Sequence, residues 1–313
     1  MEEITRKLSF TEYYKQSLAG NPQPLPGAKE PNCIWHEQLD INPEYSVVMP
    51  IYNQEAIIAK HLTAIRMHTT GTYELILIVD ACSDQTERVV RDWVQQCTLS
   101  PTGCCGITVV KSETPLFETA ADNIGFLLSR APYCLEIQAD MEMVQPGYNG
   151  ALRRPFQERD DVIGVSGRCC HDFRCRQVTG KGGRKVEQPL DGTLSPDVLY
   201  VNETCNRGPL MLDRAKLAEL RYLDEQNFFL DNSDHDLFAR AWAQRNWICG
   251  HVPIEFSTRL EEGSTRKPRD PLNAQFLQLR RARSRGGFLP FYMQKYTPRE
   301  PFTVNLKALS KQT

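Results

Sequence analysis

Residues 74–86 read ELILIVDACSDQT, and this stretch decides the fold class. The segment ELILIVD is short, rich in Ile, Leu and Val, and bounded by charges, which is typical of a buried strand. It ends on Asp80, and Asp84 follows in the next turn. The residues after that turn, DQTERVVRDWVQQC, predict an amphipathic helix. The stretch therefore predicts a strand, an acidic turn and a helix in succession.

The same alternation continues on both sides of this stretch. Further strands are predicted at SVVMP (46–50), GITVVKS (106–112) and YCLEIQAD (133–140), with helices at QEAIIAKHLTAIRMH (54–68) and TAADNIGFLLSRA (119–131). Strands that alternate with helices predict an α/β domain with a parallel sheet. Ligands of such sheets bind beyond the carboxyl ends of the strands. Asp80 and Asp140 each stand at such an end, so we expect both at a ligand site.

Composition narrows the functional class. The 313 residues carry a net charge of -2, which gives no reason to expect a nucleic-acid partner. The 11 cysteines form no C-x-x-C motif, so we expect reduced thiols and a cytoplasmic protein. Neither a signal peptide nor an apolar run of the ~18–20 residues that span a bilayer is apparent. The basic stretch QLRRARSRGG (278–287) is either a solvated helix face or a peripheral contact with an anionic membrane.

Acidic residues occur in three groups along the chain. They are Asp80 with Asp84, Asp140 with Glu142, and the trio Asp231, Asp234 and Asp236. Carboxylate oxygens suit Mg²⁺ or Mn²⁺, and these ions bridge to diphosphates. The lack of a cluster of cysteines and histidines argues against zinc. The pattern therefore predicts a divalent metal and an anionic ligand.

Five segments together resemble the family 2 glycosyltransferases with the GT-A fold. They are VVMPIYNQE (47–55), LIVDACSDQT (77–86), ADNIGF (121–126), IQADME (137–142) and DNSDHDLFAR (231–240). The resemblance covers roughly residues 45–250 and implies a Rossmann-like, mostly parallel sheet flanked by helices. The implied organisation is an N-terminal extension (1–44), a GT-A domain (45–255) and a C-terminal extension (256–313). Within the domain, residues 45–150 would be the nucleotide-sugar half and residues 151–255 the acceptor half.

The resemblance also implies a role for individual residues. Asp80 would accept a hydrogen bond from the imide of the base, Asp140 would bind the metal, and Asp234 would be the general base. His251 is a possible further metal ligand, because the stretch FSTRLEEGSTRK (256–267) lacks the late histidine of many relatives. Arg207 and Asp236 would lie on the acceptor side, with Arg240 in the helix of Asp236. The remaining nucleotide-sugar residues would be Pro50, Tyr52, Asn53, Glu55, Asp84, Asn123, Gln138 and Ala139.

Each assignment has a structural alternative. Asp84 and Glu87 have the spacing of a capping box, and Asn53 could cap a helix. Asp80 and Asp231 could be turn residues, and Asn123 could only pack its helix. Glu142 could be a solvated charge, Arg207 a surface residue and His251 a structural one. Gln138 replaces the first aspartate of the family's D-x-D motif, so the metal would depend more on Asp140 and the diphosphate.

The expected reaction is metal-assisted transfer of a sugar, with inversion, from a nucleotide diphosphate to a hydroxyl. A UDP-sugar is favoured over GDP- or dTDP-sugars, and the acceptor would be a glycan, a lipid-linked molecule or a protein. Repulsion from Asp231 and Asp236 is expected to raise the pKa of Asp234. The alternatives are an inactive carbohydrate- or nucleotide-binding relative and a nucleotidyltransferase, although MPIYNQEA lacks the glycines of the latter. A dinucleotide-dependent oxidoreductase is a further alternative, but its G-x-G-x-x-G motif is absent.

Overall fold

The computed structural model describes residues 7–19, 31–175, 177–181, 187–188, 192–228, 232–258, 296–297 and 299–307. Asp231 and the basic stretch 278–287 lie outside these residues. Among the residues described, no helix has the length and apolarity needed to span a membrane. All eleven cysteines are in the described ranges, and none of them is in a disulfide bond, as expected.

The helices and strands alternate as the sequence predicts. The helices are α1 (Phe10–Ala19), α2 (Ile58–His68), α3 (Thr86–Gln95), α4 (Phe117–Leu128), α5 (Tyr148–Glu158), α6 (Arg214–Glu219) and α7 (Ser233–Arg245). The strands are β1 (Cys33–Gln38), β2 (Tyr45–Ile51), β3 (Tyr73–Asp80), β4 (Cys104–Ser112), β5 (Tyr133–Glu136), β6 (Met141–Met143), β7 (Val162–Ser166), β8 (Cys169–Asp172), β9 (Gln177–Gly180), β10 (Glu187–Gln188), β11 (Val198–Asn202), β12 (Thr204–Cys205), β13 (Leu210–Asp213), β14 (Ile248–His251), β15 (Phe256–Thr258) and β16 (Phe302–Asn305).

The main sheet of the described residues has ten strands in the order β1-β4-β3-β2-β5-β13-β7-β14-β11-β16. The adjacent strands β4, β3, β2 and β5 are parallel, as are β7 and β14. The antiparallel members are β1, β13 and β11, so seven of the ten strands run in one direction. This arrangement confirms the expected α/β fold with a mostly parallel sheet.

Helices cover both faces of this sheet. Alternate residues of a strand point to opposite faces, and in β3 Leu77 and Ile78 accordingly belong to different apolar clusters. One cluster joins the sheet to α2, α3 and α5, and the other joins it to α1, α4, α6 and α7. Helix α4 packs very close to β2. A Cβ atom added to Gly125 would overlap a methyl carbon of Val48.

The described parts of the two extensions contribute strands of their own. Strand β1 pairs with the edge of β4, and Ser17 of α1 donates its hydroxyl to the carbonyl oxygen of Leu128 at 2.7 Å. From the other end of the chain, β15 pairs with β6 and β16 pairs with β11. The domain boundaries at 45 and 255 stay predictions.

Candidate active site

The predicted functional segments meet at one edge of the main sheet. Strands β2, β3 and β5 are parallel, so residues after Ile51, Asp80 and Glu136 emerge at the same edge. Strand β13 runs the opposite way, and its first residue, Leu210, pairs with Glu136. The residues just before β13, including Arg207, therefore lie at this edge as well. The sheet thus brings together the segments that are predicted to bind the donor and the acceptor.

The loop after β2 is tied to the loop after β3 through Asn53. The Asn53 amide donates to the Ser83 hydroxyl at 3.1 Å, and its Oδ1 accepts the Ser83 N–H at 2.8 Å. Asn53 has a φ of 48°, which asparagine tolerates better than most residues. Helix α2 begins at Ile58, so the alternative that Asn53 caps this helix is wrong. Pro50, the sixth residue of β2, and Tyr52 beside Asn53 are both half-buried.

Asp84 and Glu55 join the same two loops in a reciprocal way. Asp84 accepts the Glu55 N–H at 3.2 Å and the Thr86 N–H at 2.9 Å, and Glu55 accepts the Gln85 N–H at 2.7 Å. Glu87 instead pairs with Arg91 and Lys111. The capping box of Asp84 and Glu87 is therefore wrong, because the Glu87 carboxylate lies in an ion-pair network.

Asp80 holds the start of helix α4. Its carboxylate is 6% exposed and accepts the N–H groups of Leu116 and Phe117 at 2.7 and 2.9 Å. Burial raises the pKa of Asp80 while these two N–H groups oppose the rise. Asp80 is the last residue of β3 and not a turn residue. Contact of Asp80 with a nucleotide base stays a prediction.

The segment after β5 carries the predicted metal ligand, Asp140, which is half-buried. Strand β15 pairs antiparallel with β6 and sets Thr258 opposite Met141, the residue after Asp140. Glu142 is half-buried and accepts from Lys60 at 2.6 Å. The carbonyl oxygen of Ala139 lies 2.7 Å from a ring nitrogen of His61.

His251 ends strand β14 and is 2% exposed. Its Nδ1 lies 3.0 Å from the carbonyl oxygen of Ser166, the last residue of the parallel strand β7.

Asn123 is fully buried, and its amide bonds to the backbone of Leu223 and to Glu225 at 3.0 and 3.1 Å. The amide of Asn123 thus holds helix α4 against the segment that precedes α7. The predicted ligand roles of His251 and Asn123 stay predictions.

Sequence reasoning named Arg207 but missed the three carboxyl groups beside it. These four residues, Glu118, Asp122, Glu136 and Arg207, form a group that we call the ion cluster. The Arg207 guanidinium lies 2.9 Å from Asp122 and 3.3 Å from Glu118. Glu136 accepts the backbone N–H of Gly208 at 2.7 Å. Arg207 is 5% exposed, so the alternative of a surface arginine is wrong.

The ion cluster holds more carboxyl groups than cations. One oxygen from each of its three carboxyl groups lies within 4.8 Å of the others, a spacing that could suit a metal ion. Arg207 already supplies a cation there, and the binding of a metal by Asp140 stays a prediction. Burial raises the pKa of Asp122 to about 8, although Arg207 opposes the rise, and burial also raises the pKa of Glu136. Asp122 Oδ1 and Glu136 Oε1 lack a hydrogen-bond partner among the described residues, and a proton bound to one of these oxygens would make it a donor.

Asp234, the predicted base, lies in the first turn of α7 and is 6% exposed. Its two oxygens accept the N–H groups of Arg207 and His235 at 3.1 and 2.9 Å. Burial alone would raise the pKa of Asp234, but His235, Arg207 and the two N–H groups lower it below its ordinary value. The expected rise in this pKa is therefore wrong. Asp236 pairs instead with Arg240 at 2.7 Å and with the Tyr296 hydroxyl at 3.3 Å.

Comparison with known proteins gives results at the level of family and fold. The model described as glycosyl transferase family 2 matches residues 46–209, slightly more than half of the chain. No curated protein shows significant sequence similarity to this chain.

Solved structures resemble this chain at low sequence identity. GalNAc-T7 with UDP, GalNAc and Mn²⁺ has a TM-score of 0.54 at 12% identity, over 82% of this chain and 57% of that one. TarS 1-349 of S. aureus has a TM-score of 0.50 at 14% identity, over 82% and 67%. The mannosyltransferase PcManGT of Pyrobaculum calidifontis, with GDP-Man and Mn²⁺, has a TM-score of 0.49 at 15% identity, over 78% and 62%.

This chain spans between 57% and 67% of the length of these solved structures, and at such identities the likeness concerns the fold. The fold agrees with the family match, which contains the loops of Asn53 and Asp84, the strand end at Asp80 and the ion cluster. Asp234 lies beyond the matched residues but is bonded to Arg207 within them. From its sequence, with a GT-A fold in agreement, the chain belongs to glycosyl transferase family 2.

Proposed function

We propose that this protein transfers a sugar from a nucleotide-diphosphate donor, preferably a UDP-sugar, to an acceptor hydroxyl with inversion. The observation that carries the proposal is that the loops after β2, β3 and β5 lie at the same edge of the sheet as Arg207, whose N–H is bonded to Asp234. Such an edge is where open α/β sheets bind their ligands. The GalNAc-T7 structure with UDP and Mn²⁺ supports a nucleotide and a metal, since the two proteins share a fold.

The donor would lie over the loops that Asn53, Glu55 and Asp84 lock together. These loops are rigid because each contributes both donors and acceptors to the other. A preorganised pocket of this kind lowers the cost of ordering on binding. Asp80 would face the base and Gln138 a ribose hydroxyl, as the family resemblance implies.

Mn²⁺ or Mg²⁺ would be held by Asp140 and the donor diphosphate. The residues fit such an ion, because Asp140 offers a half-buried hard-oxygen ligand while Lys60 engages the neighbouring Glu142. When bound, the metal would neutralise charge that develops on the diphosphate leaving group. His251 remains a possible further ligand.

Asp234 would take the proton of the acceptor hydroxyl as that oxygen attacks the anomeric carbon. The low pKa of Asp234 keeps this carboxylate ionised and able to accept a proton at neutral pH. A single base and direct attack give inversion. The acceptor would be a glycan, a lipid-linked molecule or a protein, approached from the side of Arg207 and Asp236. A cytoplasmic location stays a prediction from the cysteine content, and contact of residues 278–287 with a membrane also stays a prediction.

Calorimetric titration of UDP, GDP and dTDP, each with and without Mn²⁺, tests the donor site. We expect one nucleotide to bind, more tightly with Mn²⁺, and Asp140→Asn to remove the effect of Mn²⁺. The exposed Asp160→Asn is the matched control and should bind like wild type. Asp80 is a poor test residue because it also holds the start of α4. Failure of all three nucleotides to bind would contradict the proposal.

Hydrolysis of the matching nucleotide sugar then tests catalysis. Asp234→Asn should retain nucleotide binding and lose about a hundredfold or more in turnover, because a positioned base contributes about that much. The anomeric configuration of the product, read by NMR, decides between inversion and retention. If the wild-type protein binds the nucleotide but shows no turnover, the alternative of an inactive relative is favoured. Gln138 in place of the family's aspartate points to the same alternative.

A further inference from the structure

We propose that Glu118 is a positioning residue that couples Gln138 on the donor side to the base Asp234 on the acceptor side, through Arg207. The inference rests on the proposed function, since it concerns how the two halves of that site are held in register. Glu118 lies in the first turn of α4 and is half-buried between these two sides. A single oxygen of Glu118 meets both partners.

The first contact fixes the orientation of the Gln138 amide. Gln138 Nε2 donates to Glu118 Oε1 at 2.6 Å. An ionised carboxylate only accepts hydrogen bonds, so the nitrogen end of the amide must face Glu118. The carbonyl oxygen of Gln138 is therefore the end that remains for the donor. Gln138 is thus held as an acceptor for a hydroxyl group of the donor.

The second contact runs from Glu118 to Arg207. The same oxygen, Oε1, lies 3.3 Å from Arg207 Nη1, which also donates to Asp122 at 2.9 Å. Arg207 Nη2 donates to the Thr119 hydroxyl at 3.1 Å, so the guanidinium is held on three sides by helix α4. This side chain therefore anchors the segment before β13 to the helix.

The third contact passes from the backbone of Arg207 to the base. The Arg207 N–H donates to Asp234 Oδ2 at 3.1 Å, and the next N–H, that of Gly208, donates to Glu136 at 2.7 Å. A shift of the guanidinium would move this backbone and with it one of the two N–H groups that orient Asp234. The contacts form a continuous path from Gln138 to Asp234, which consists of a side-chain hydrogen bond, an ion pair and a backbone hydrogen bond.

Glu118 variants separate the two ends of this path. Two quantities are measured. The first is the dissociation constant of the nucleotide, among UDP, GDP and dTDP, that binds the wild-type protein in the presence of Mn²⁺. The second is the rate of hydrolysis of the glucose or N-acetylglucosamine donor that carries this nucleotide. Glu118→Ala should weaken nucleotide binding about fivefold, the worth of one oriented hydrogen bond, and lower turnover about tenfold. Glu118→Gln should restore binding to within about twofold, because its amide oxygen can accept from Gln138, but leave turnover low. Glu113→Ala, which removes an exposed carboxylate nearby, should change neither quantity.

Two further variants test each arm. Arg207→Lys keeps the buried charge but cannot bridge Glu118, Asp122 and Thr119, so it should lower turnover with little change in nucleotide binding. The double variant Glu118→Ala/Gln138→Ala should bind the nucleotide no more weakly than Gln138→Ala alone, because Glu118 acts on the donor through Gln138.

The outcomes distinguish the inference from the proposed function. The coupling would be overturned if the losses of nucleotide binding in the double variant were additive. It would also be overturned if Glu118→Gln changed nucleotide binding and turnover equally. Neither result would contradict the proposed transferase function. Absence of nucleotide binding or turnover in wild type would overturn both. Two results together would support the coupling. The losses of nucleotide binding would be non-additive in the double variant, and Glu118→Gln and Arg207→Lys would each lose turnover selectively.

Discussion

Raising the pH from about 6.5 to about 8 is expected to lower the free energy of unfolding of this protein, because Asp122 carries a buried proton. Asp122 is fully buried, and burial raises its pKa from 3.8 to about 8. Between these two values the folded chain holds a proton that the unfolded chain has released. Stability from this source is therefore present at low pH and is lost as the pH rises through the folded pKa.

The size of the effect follows from the proton count. One proton difference changes the free energy of unfolding by about 1.4 kcal/mol per pH unit, and the slope halves at the folded pKa. Over this pH interval the expected loss is about 1.7 kcal/mol, using the folded pKa of about 8 for Asp122. Burial lowers the pKa of His36 and His171 from 6.5 to about 4, so these histidines act mainly below this interval, and within it each offsets the loss by about 0.4 kcal/mol. The Cys82 thiol acts at higher pH, since burial raises its pKa to about 11.

Urea unfolding followed by tryptophan fluorescence measures this change, with Asp122→Asn as the test variant. Asparagine resembles the protonated carboxyl group in shape and has no proton to lose in this range. The fall in stability should therefore shrink in Asp122→Asn, with a remainder from Glu136, whose pKa burial also raises. The exposed Asp160→Asn should show the wild-type fall.

Two results would refute the reasoning. A wild-type free energy of unfolding that stays constant or rises over this interval would show that no buried proton is lost. A fall in Asp122→Asn equal to that of wild type would show that the proton resides elsewhere.

Two further predictions concern the loops of the donor side. Asp80→Asn should lower the free energy of unfolding by about 2 kcal/mol, because one of the two α4 N–H groups loses a charged acceptor, and an unchanged urea midpoint would contradict this. Asn53→Ala should be less stable than Asn53→Gly by about 1 kcal/mol in the same assay, because alanine is strained at a φ of 48°, and the reverse order would contradict the role of this conformation.

The central strands could be predicted because their pattern is local. The run ELILIVD is buried along its whole length in β3, and such a run carries its own signal. The ion cluster could not be predicted, because helix α4, strand β5 and the segment before β13 supply its members and only the tertiary fold brings them together. The sequence did contain a signal for Glu136, because this charged residue stands inside the predicted strand YCLEIQAD.

The site residues show the same limit of local reasoning. The pKa of Asp234 was expected to rise because acidic neighbours are close in sequence, yet Arg240 engages Asp236 while His235 and Arg207 lie near Asp234. Asn53 has a residue type typical of helix caps, but its side chain bonds across to the next loop. Ser83 is 30 residues from Asn53 and Arg207 is 27 residues from Asp234, so spacing along the chain does not reveal these two partners.

Strand β1 has a consequence for where this protein can be shortened. The family match begins at residue 46, which would suggest that the preceding residues are dispensable. Strand β1 nevertheless pairs with β4 from Cys33 to Gln38. Without it, β4 would become an outermost strand with bare N–H and C=O groups, a template for pairing with other chains. A version cut at the family boundary would therefore invite aggregation, and a version that retains β1 keeps the mostly buried strand β4 inside the sheet.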